Sequence, residues 1–130
     1  MLSGVKTALA LAILLPAAAG CEKSPRDRLQ GRWLGESIEN VPVSQVQKAT
    51  GWVKGTAIEF YGNKVIVTVP AETPRTGSFK ASCKEGETLL VSFNRDEGGH
   101  DEVEMTLVGD QQLRWRIGEG REIVMTKARD

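Results

Sequence analysis

Few side chains in this 130-residue chain have the chemistry to act on another molecule, and they are scattered. Two are thiols, Cys21 and Cys83, and one is the imidazole of His100. A deprotonated thiol accepts an acyl or alkyl group, and an imidazole moves a proton near neutral pH. Cys21 closes the run Leu15-Pro16-Ala17-Ala18-Ala19-Gly20-Cys21, in which small residues lead directly to the thiol. Ahead of it, Lys6 and the amino terminus carry positive charge. Thr7 to Leu15 form an apolar stretch too short to cross about 30 Å of hydrocarbon as a helix. Residues 1–20 therefore read as a signal segment cut before Cys21.

His100 lies in Asp96-Glu97-Gly98-Gly99-His100-Asp101-Glu102 and is the only histidine, which excludes a multi-histidine zinc site. The carboxylates are hard-cation ligands by type, yet their spacing lacks the alternation and terminal Glu of a calcium loop. The segment reads as a solvated turn. Gly118 and Gly120 read as hairpin glycines, since no helix comes after them to make a phosphate cradle. No nucleophile has a nameable base, so no catalytic set, metal or cofactor is expected.

The run ending at Cys21 resembles the bacterial lipobox, in which a thioether-linked diacylglycerol is added to the cysteine and the chain is cut just before it. Ala18 stands where that motif prefers leucine. The resemblance implies lipidation of Cys21 and attachment to a membrane of the bacterial envelope. An uncleaved anchor, or a signal cut elsewhere that leaves a thiol, is the alternative. With Cys21 acylated, Cys83 has no intramolecular disulfide partner and is expected as a small buried hydrophobe in an inward-facing row. Glu22-Lys23 lacks the Asp that retains lipoproteins in the inner membrane of enteric bacteria, which implies the periplasmic face of the outer membrane. The inner membrane and the cell surface stay open.

Losing Lys6 with the leader leaves sixteen basic residues against seventeen acidic ones, so no long-range field attracts nucleic acid. The remaining chain suits one small domain, residues 29–130, on a tether of residues 21–28 that contains Pro25.

Within the domain, apolar and polar residues alternate in eight short runs: Leu29 to Ser37, Thr56 to Tyr61, Lys64 to Val69, Ser78 to Lys84, Thr88 to Asn94, Glu102 to Val108, Gln112 to Ile117 and Glu122 to Lys127. Opposed residues in a hairpin must share a face. A turn at Gly62-Asn63 opposes Phe60 to Val65, and a loop at Gly109 to Gln111 opposes Met105 to Trp115 and Val103 to Ile117. The same alternation sets Phe79, Ala81 and Cys83 against Phe93, Val91 and Leu89, and Ile123 and Met125 against Ile117 and Trp115. Between the first two runs, Ser44 and Gln47 have capping-box spacing, so a helix is expected there, closed by a left-handed Gly55.

Successive hairpins favour an all-β, eight-stranded antiparallel up-and-down barrel with one short α-helix between strands 1 and 2. Leu29-Gln30-Gly31-Arg32-Trp33 resembles the Gly-x-Trp first strand of the lipocalin-like superfamily. The resemblance implies that Trp33 closes the barrel floor, with a late basic residue, Arg121, packed on it. A small apolar pocket is expected among Trp33, Phe60, Phe79, Phe93, Met105 and Trp115. The function this implies is a non-enzymatic, membrane-tethered binding or structural module for a small apolar ligand or an envelope protein. The alternative is an anchored inhibitor of envelope or secreted hydrolases, whose small barrels resemble this chain but usually carry a disulfide.

Overall fold

Eight strands form where the alternation places them: β1 (Gly31–Glu39), β2 (Ala57–Tyr61), β3 (Lys64–Thr68), β4 (Arg75–Glu85), β5 (Thr88–Arg95), β6 (His100–Val108), β7 (Gln112–Gly118) and β8 (Arg121–Lys127). In the computed structural model, which describes residues 23–129, each strand runs antiparallel to the next. β8 returns to β1 through pairs from Trp33 with Lys127 to Glu39 with Glu122, and the barrel closes. Cys21 lies outside the described residues.

The period-2 alternation sets the facing. Phe60 opposes Val65, Phe79 opposes Phe93, and Met105 opposes Trp115. Two expected pairings differ. β8 is shifted by two residues, so Ile123 opposes Trp115 and Met125 opposes Leu113. A two-residue shift preserves the facing, and a one-residue irregularity follows between Arg116 and Gly118. Val103 and Ile117 do not pair at all, because the β6–β7 ladder stops at Met105 and Trp115.

One end of the barrel is filled and capped. Trp33, Ile58, Phe60, Phe79, Met105 and Met125 are each at most 2% exposed. Phe60 meets Phe79 edge to face at 4.7 Å and Phe93 at 6.5 Å. Over this end lies a one-turn helix, α1 (Pro25–Leu29), with Pro25 in its first turn and the Ser24 hydroxyl accepting from Asp27 N at 3.1 Å. Leu29 is fully buried, and its carbonyl accepts from Trp33 Nε1 at 2.8 Å. Gln30 clamps the β2–β3 turn, accepting from Gly62 N at 2.7 Å and donating to Gly62 O at 2.9 Å. Pro25 to Arg28, expected as tether, thus belong to the domain.

The basic residue on Trp33 is Lys127 and not Arg121. Lys127 Nζ lies 5.4 Å from the ring centroid. Because β8 is antiparallel to β1, its first residue, Arg121, sits about 20 Å from that floor at ordinary strand rise and pairs with Glu119 instead. Gly31 makes room for this contact, since a Cβ there would stand 2.8 Å from Lys127 Cε.

A second helix, α2 (Val46–Lys54), fills the gap where β1 parts from β2 beyond Leu34. Val53 carries it into the core, fully buried, and Gly35 N donates to Thr56 O at 2.8 Å just after it. The capping box does not form. Pro42 starts a 3₁₀ turn, Val43–Gln45, so Ser44 is inside a helical turn and the N-cap falls to Gln45 with no side-chain bond. Gly55 has φ −93°, not a left-handed value.

Candidate ligand basin

Beyond Met105 and Trp115 the barrel wall opens. β6 runs from His100 along β5, and β7 runs on to Gly118 along β8, but the two do not pair with each other there. The ladder loses its partner where Arg116 and Glu104 meet instead through side chains, Nη1 to Oε2 at 3.6 Å. The opening leads into a concavity of about 730 Å³ at the end opposite α1. Its floor and walls are Val65, Val67, Phe93, Val103, Trp115 and Ile117. No residue of α2 lines it, so that helix plugs one side of the barrel and leaves the mouth open.

Of the residues expected to make an apolar pocket, only Phe93 and Trp115 line this basin. Trp33, Phe60, Phe79 and Met105 pack against one another below it, because an eight-stranded interior is only just wide enough for its own side chains. Trp115 is half-buried at the corner of the opening, and Ile117 is 40% exposed.

The polar part of the basin is not anticipated by the sequence reading. Arg95 continues the inward row Leu89, Val91, Phe93 on β5 and lines the basin with Arg75 and Asp101. Its Nε is buried without a hydrogen bond, with Asp101 Oδ2 at 3.6 Å, and Trp115 Nε1 is likewise buried without an acceptor. An Arg at inward parity at a strand end is the signal that points to it.

The thiol and imidazole fall elsewhere. His100 is a strand residue, not a loop residue, with Nδ1 2.9 Å from Asn94 Oδ1 and Nε2 3.9 Å from Glu102 Oε2. Both its neighbours are exposed surface groups, and among the described residues no group of three or more His, Cys, Asp or Glu is arranged to hold a metal ion. Cys83 faces Leu89 as the register requires, but it is exposed and disulfide-bonded, not a buried thiol. Cys83 lies on the exposed end of β4, Ser82 to Glu85, although Leu89 opposite it belongs to the core. On the outer face, the Lys84 ammonium donates to Glu104 at 2.8 Å and, with Arg116 nearby, holds that carboxyl below its usual range against a smaller opposing effect of desolvation.

The chain matches no protein-family model, no curated protein and no solved structure.

Proposed function

We propose that this chain is a lipid-anchored lipoprotein of the bacterial envelope whose lipocalin-like barrel is a non-enzymatic binding module for a small, largely apolar ligand. The observation that carries the reading is the basin: a filled, capped end continues into an apolar concavity of about 730 Å³, a volume typical of small-molecule sites. An open, largely apolar mouth favours carriage over purely structural packing. His100, with only exposed Asn94 and Glu102 beside it, offers no activated nucleophile.

The anchor rests on the Leu15 to Cys21 run and the outer-membrane assignment on Glu22-Lys23. The docking of α1 gives the anchor a further consequence. Only Glu22 to Ser24 separate Cys21 from the helix, a reach of about 10 Å when extended. A lipidated Cys21 would hold the capped end near the bilayer and turn the basin away from it.

One sulfur cannot be both a thioether and half of a disulfide, and Cys21 is the only other cysteine besides Cys83. Intact-mass analysis of the protein purified from a bacterial envelope separates the two states. Diacylglycerol on Cys21, detergent-phase partitioning, and loss of both in Cys21→Ser are expected. A processed, water-soluble protein with a Cys21–Cys83 disulfide would sink the anchored reading. Apolar ligands should shift Trp115 emission, and a panel without effect would reject the binding module.

A further inference from the structure

We infer that the β2–β3 turn, with Tyr61 and Lys64 on its outer face and Arg26 of α1 beside it, seats the anchored barrel on anionic lipid headgroups. This rests on the lipidation of Cys21 and adds which side of the capped end meets the bilayer and which lipid charge it prefers.

The anchor gives the capped end little freedom to avoid the membrane. With α1 starting at Pro25, a lipidated Cys21 stands within about 10 Å of it, little more than the depth of one headgroup layer. α1 is in turn fastened to the β2–β3 turn. Gln30 bonds both N and O of Gly62, and Arg26 Nη1 donates to Asn63 Oδ1 at 2.8 Å. Anchor helix and turn therefore move as one body.

That turn carries the groups that a membrane interface takes. Tyr61 is the only tyrosine and is 74% exposed, although Ile58 and Phe60 before it are buried. It pairs with Lys64 across the turn, so ring and ammonium share one face. At headgroup depth a phenol finds an apolar contact for its ring and a polar one for its hydroxyl. The lysine keeps its stem along apolar surface while its ammonium reaches the phosphates.

Charge at the rim of the capped end is divided. On the β2–β3 side Arg26 and Lys64 outnumber Asp27, and Glu59 is matched by Arg32 opposite it on β1. Further round, the β4–β5 turn carries Glu85 and Glu87, and the β6–β7 turn carries Asp110, while Lys84 is held by Glu104. The near-neutral charge of the whole chain does not cancel this division, because at physiological salt a surface feels mainly the charges within about 8 Å. An anionic bilayer therefore attracts the Tyr61 side and repels the side of Val108, and the barrel leans toward β2 and β3.

The test uses the processed, lipidated protein in vesicles of phosphatidylcholine with and without phosphatidylglycerol, brominated on the acyl chains so that a nearby tryptophan loses emission. Tyr61→Trp and Val108→Trp put reporters on the two sides of the rim at exposed positions, and the wild type supplies the background of the native tryptophans. Quenching at Tyr61→Trp should exceed that at Val108→Trp, grow with phosphatidylglycerol and shrink in high salt. Adding Arg26→Gln and Lys64→Gln to Tyr61→Trp should lower the ratio of docked to free domains about fivefold for each charge removed. Melting curves check folding, and the lipid and salt series on Tyr61→Trp alone carries the test if the added substitutions unfold the protein. Equal quenching at the two positions overturns the lean, and quenching indifferent to phosphatidylglycerol and salt overturns the anionic preference. No excess quenching at either, from protein that stays with the vesicles, overturns the docking while the anchor stands. If Tyr61→Trp emission then changes with protein density on the vesicles, the turn belongs to a second copy and not to lipid. Protein that does not stay with the vesicles overturns the anchored reading and this inference with it.

Discussion

Trp115 stands opposite Met105 at the last rung shared by β6 and β7, and past that rung the strands separate into the basin. The break has a dynamic consequence, because amides without a ladder partner exchange through smaller openings than those in a paired core. Hydrogen exchange should therefore be fast on the β7-facing edge of residues 100–103 and slow around Leu107 and Leu113, which pair and are nearly fully buried. Uniform protection along β6 would mean that the wall is continuous in solution and that the basin has no side entrance.

The two tryptophans on the inner face differ in what they hold together. Trp33 is fully buried, with its indole N–H bonded to Leu29 O at 2.8 Å, whereas Trp115 is half-buried at the opening. Trp33→Ala should cost about 3–5 kcal/mol in denaturant unfolding, and Trp115→Ala markedly less. Lys127→Met, which keeps most of the stem and removes the cation over the ring, should cost about 1 kcal/mol or less. Equal losses at the two tryptophans would contradict the division into a filled end and an open one.

Acid should weaken the outer face around Glu104. Its folded-state pKa lies below the unfolded value, chiefly through the Lys84 hydrogen bond, so ionised Glu104 stabilises the fold above the unfolded pKa. That contribution is lost as pH falls through the folded value. In an NMR titration of carboxyl carbons, Lys84→Met should move the Glu104 midpoint up toward the ordinary glutamate range. An unmoved midpoint would rule out the hydrogen bond as the cause.

The strands are legible because a half-buried sheet writes its facing into every second residue. Phe60 with Val65 and Phe79 with Phe93 come from that alone. Alternation does not encode where a ladder ends. Val103 and Ile117 have the right parity to pair, yet the β6–β7 ladder ends at Met105 and Trp115 and β7 continues along β8 alone. The basin arises from that departure, so its position is not readable, whereas Arg95 leaves a trace in its parity with Leu89, Val91 and Phe93 at the strand end. Assigning the contact on Trp33 to Arg121 fails for a related reason. Arg121 is close to the last turn, but the antiparallel return of β8 places its other end, Lys127, on the floor. Pro25 reads as a linker residue, although Ser24 before it and Leu29 after it supply a cap and an apolar anchor for one helical turn.

That single turn governs how the domain hangs from its amino terminus, and Leu29 is its one apolar attachment. Leu29 is fully buried and also presents the carbonyl that receives Trp33 Nε1. Leu29→Ala should cost about 2–5 kcal/mol, as for other fully buried leucines. Gln30→Ala removes both bonds to Gly62 at the exposed rim and should cost only about 1 kcal/mol. Both variants should free residues 25–28 as chain, seen as a sharp rise in proteolytic cleavage after Arg26 and Arg28 while the barrel remains intact. Resistance of those arginines in a destabilised Leu29→Ala protein would show that α1 is held by Arg26 with Asn63 and Arg28 with Glu87, the polar contacts that flank it, and not by burial of its leucine.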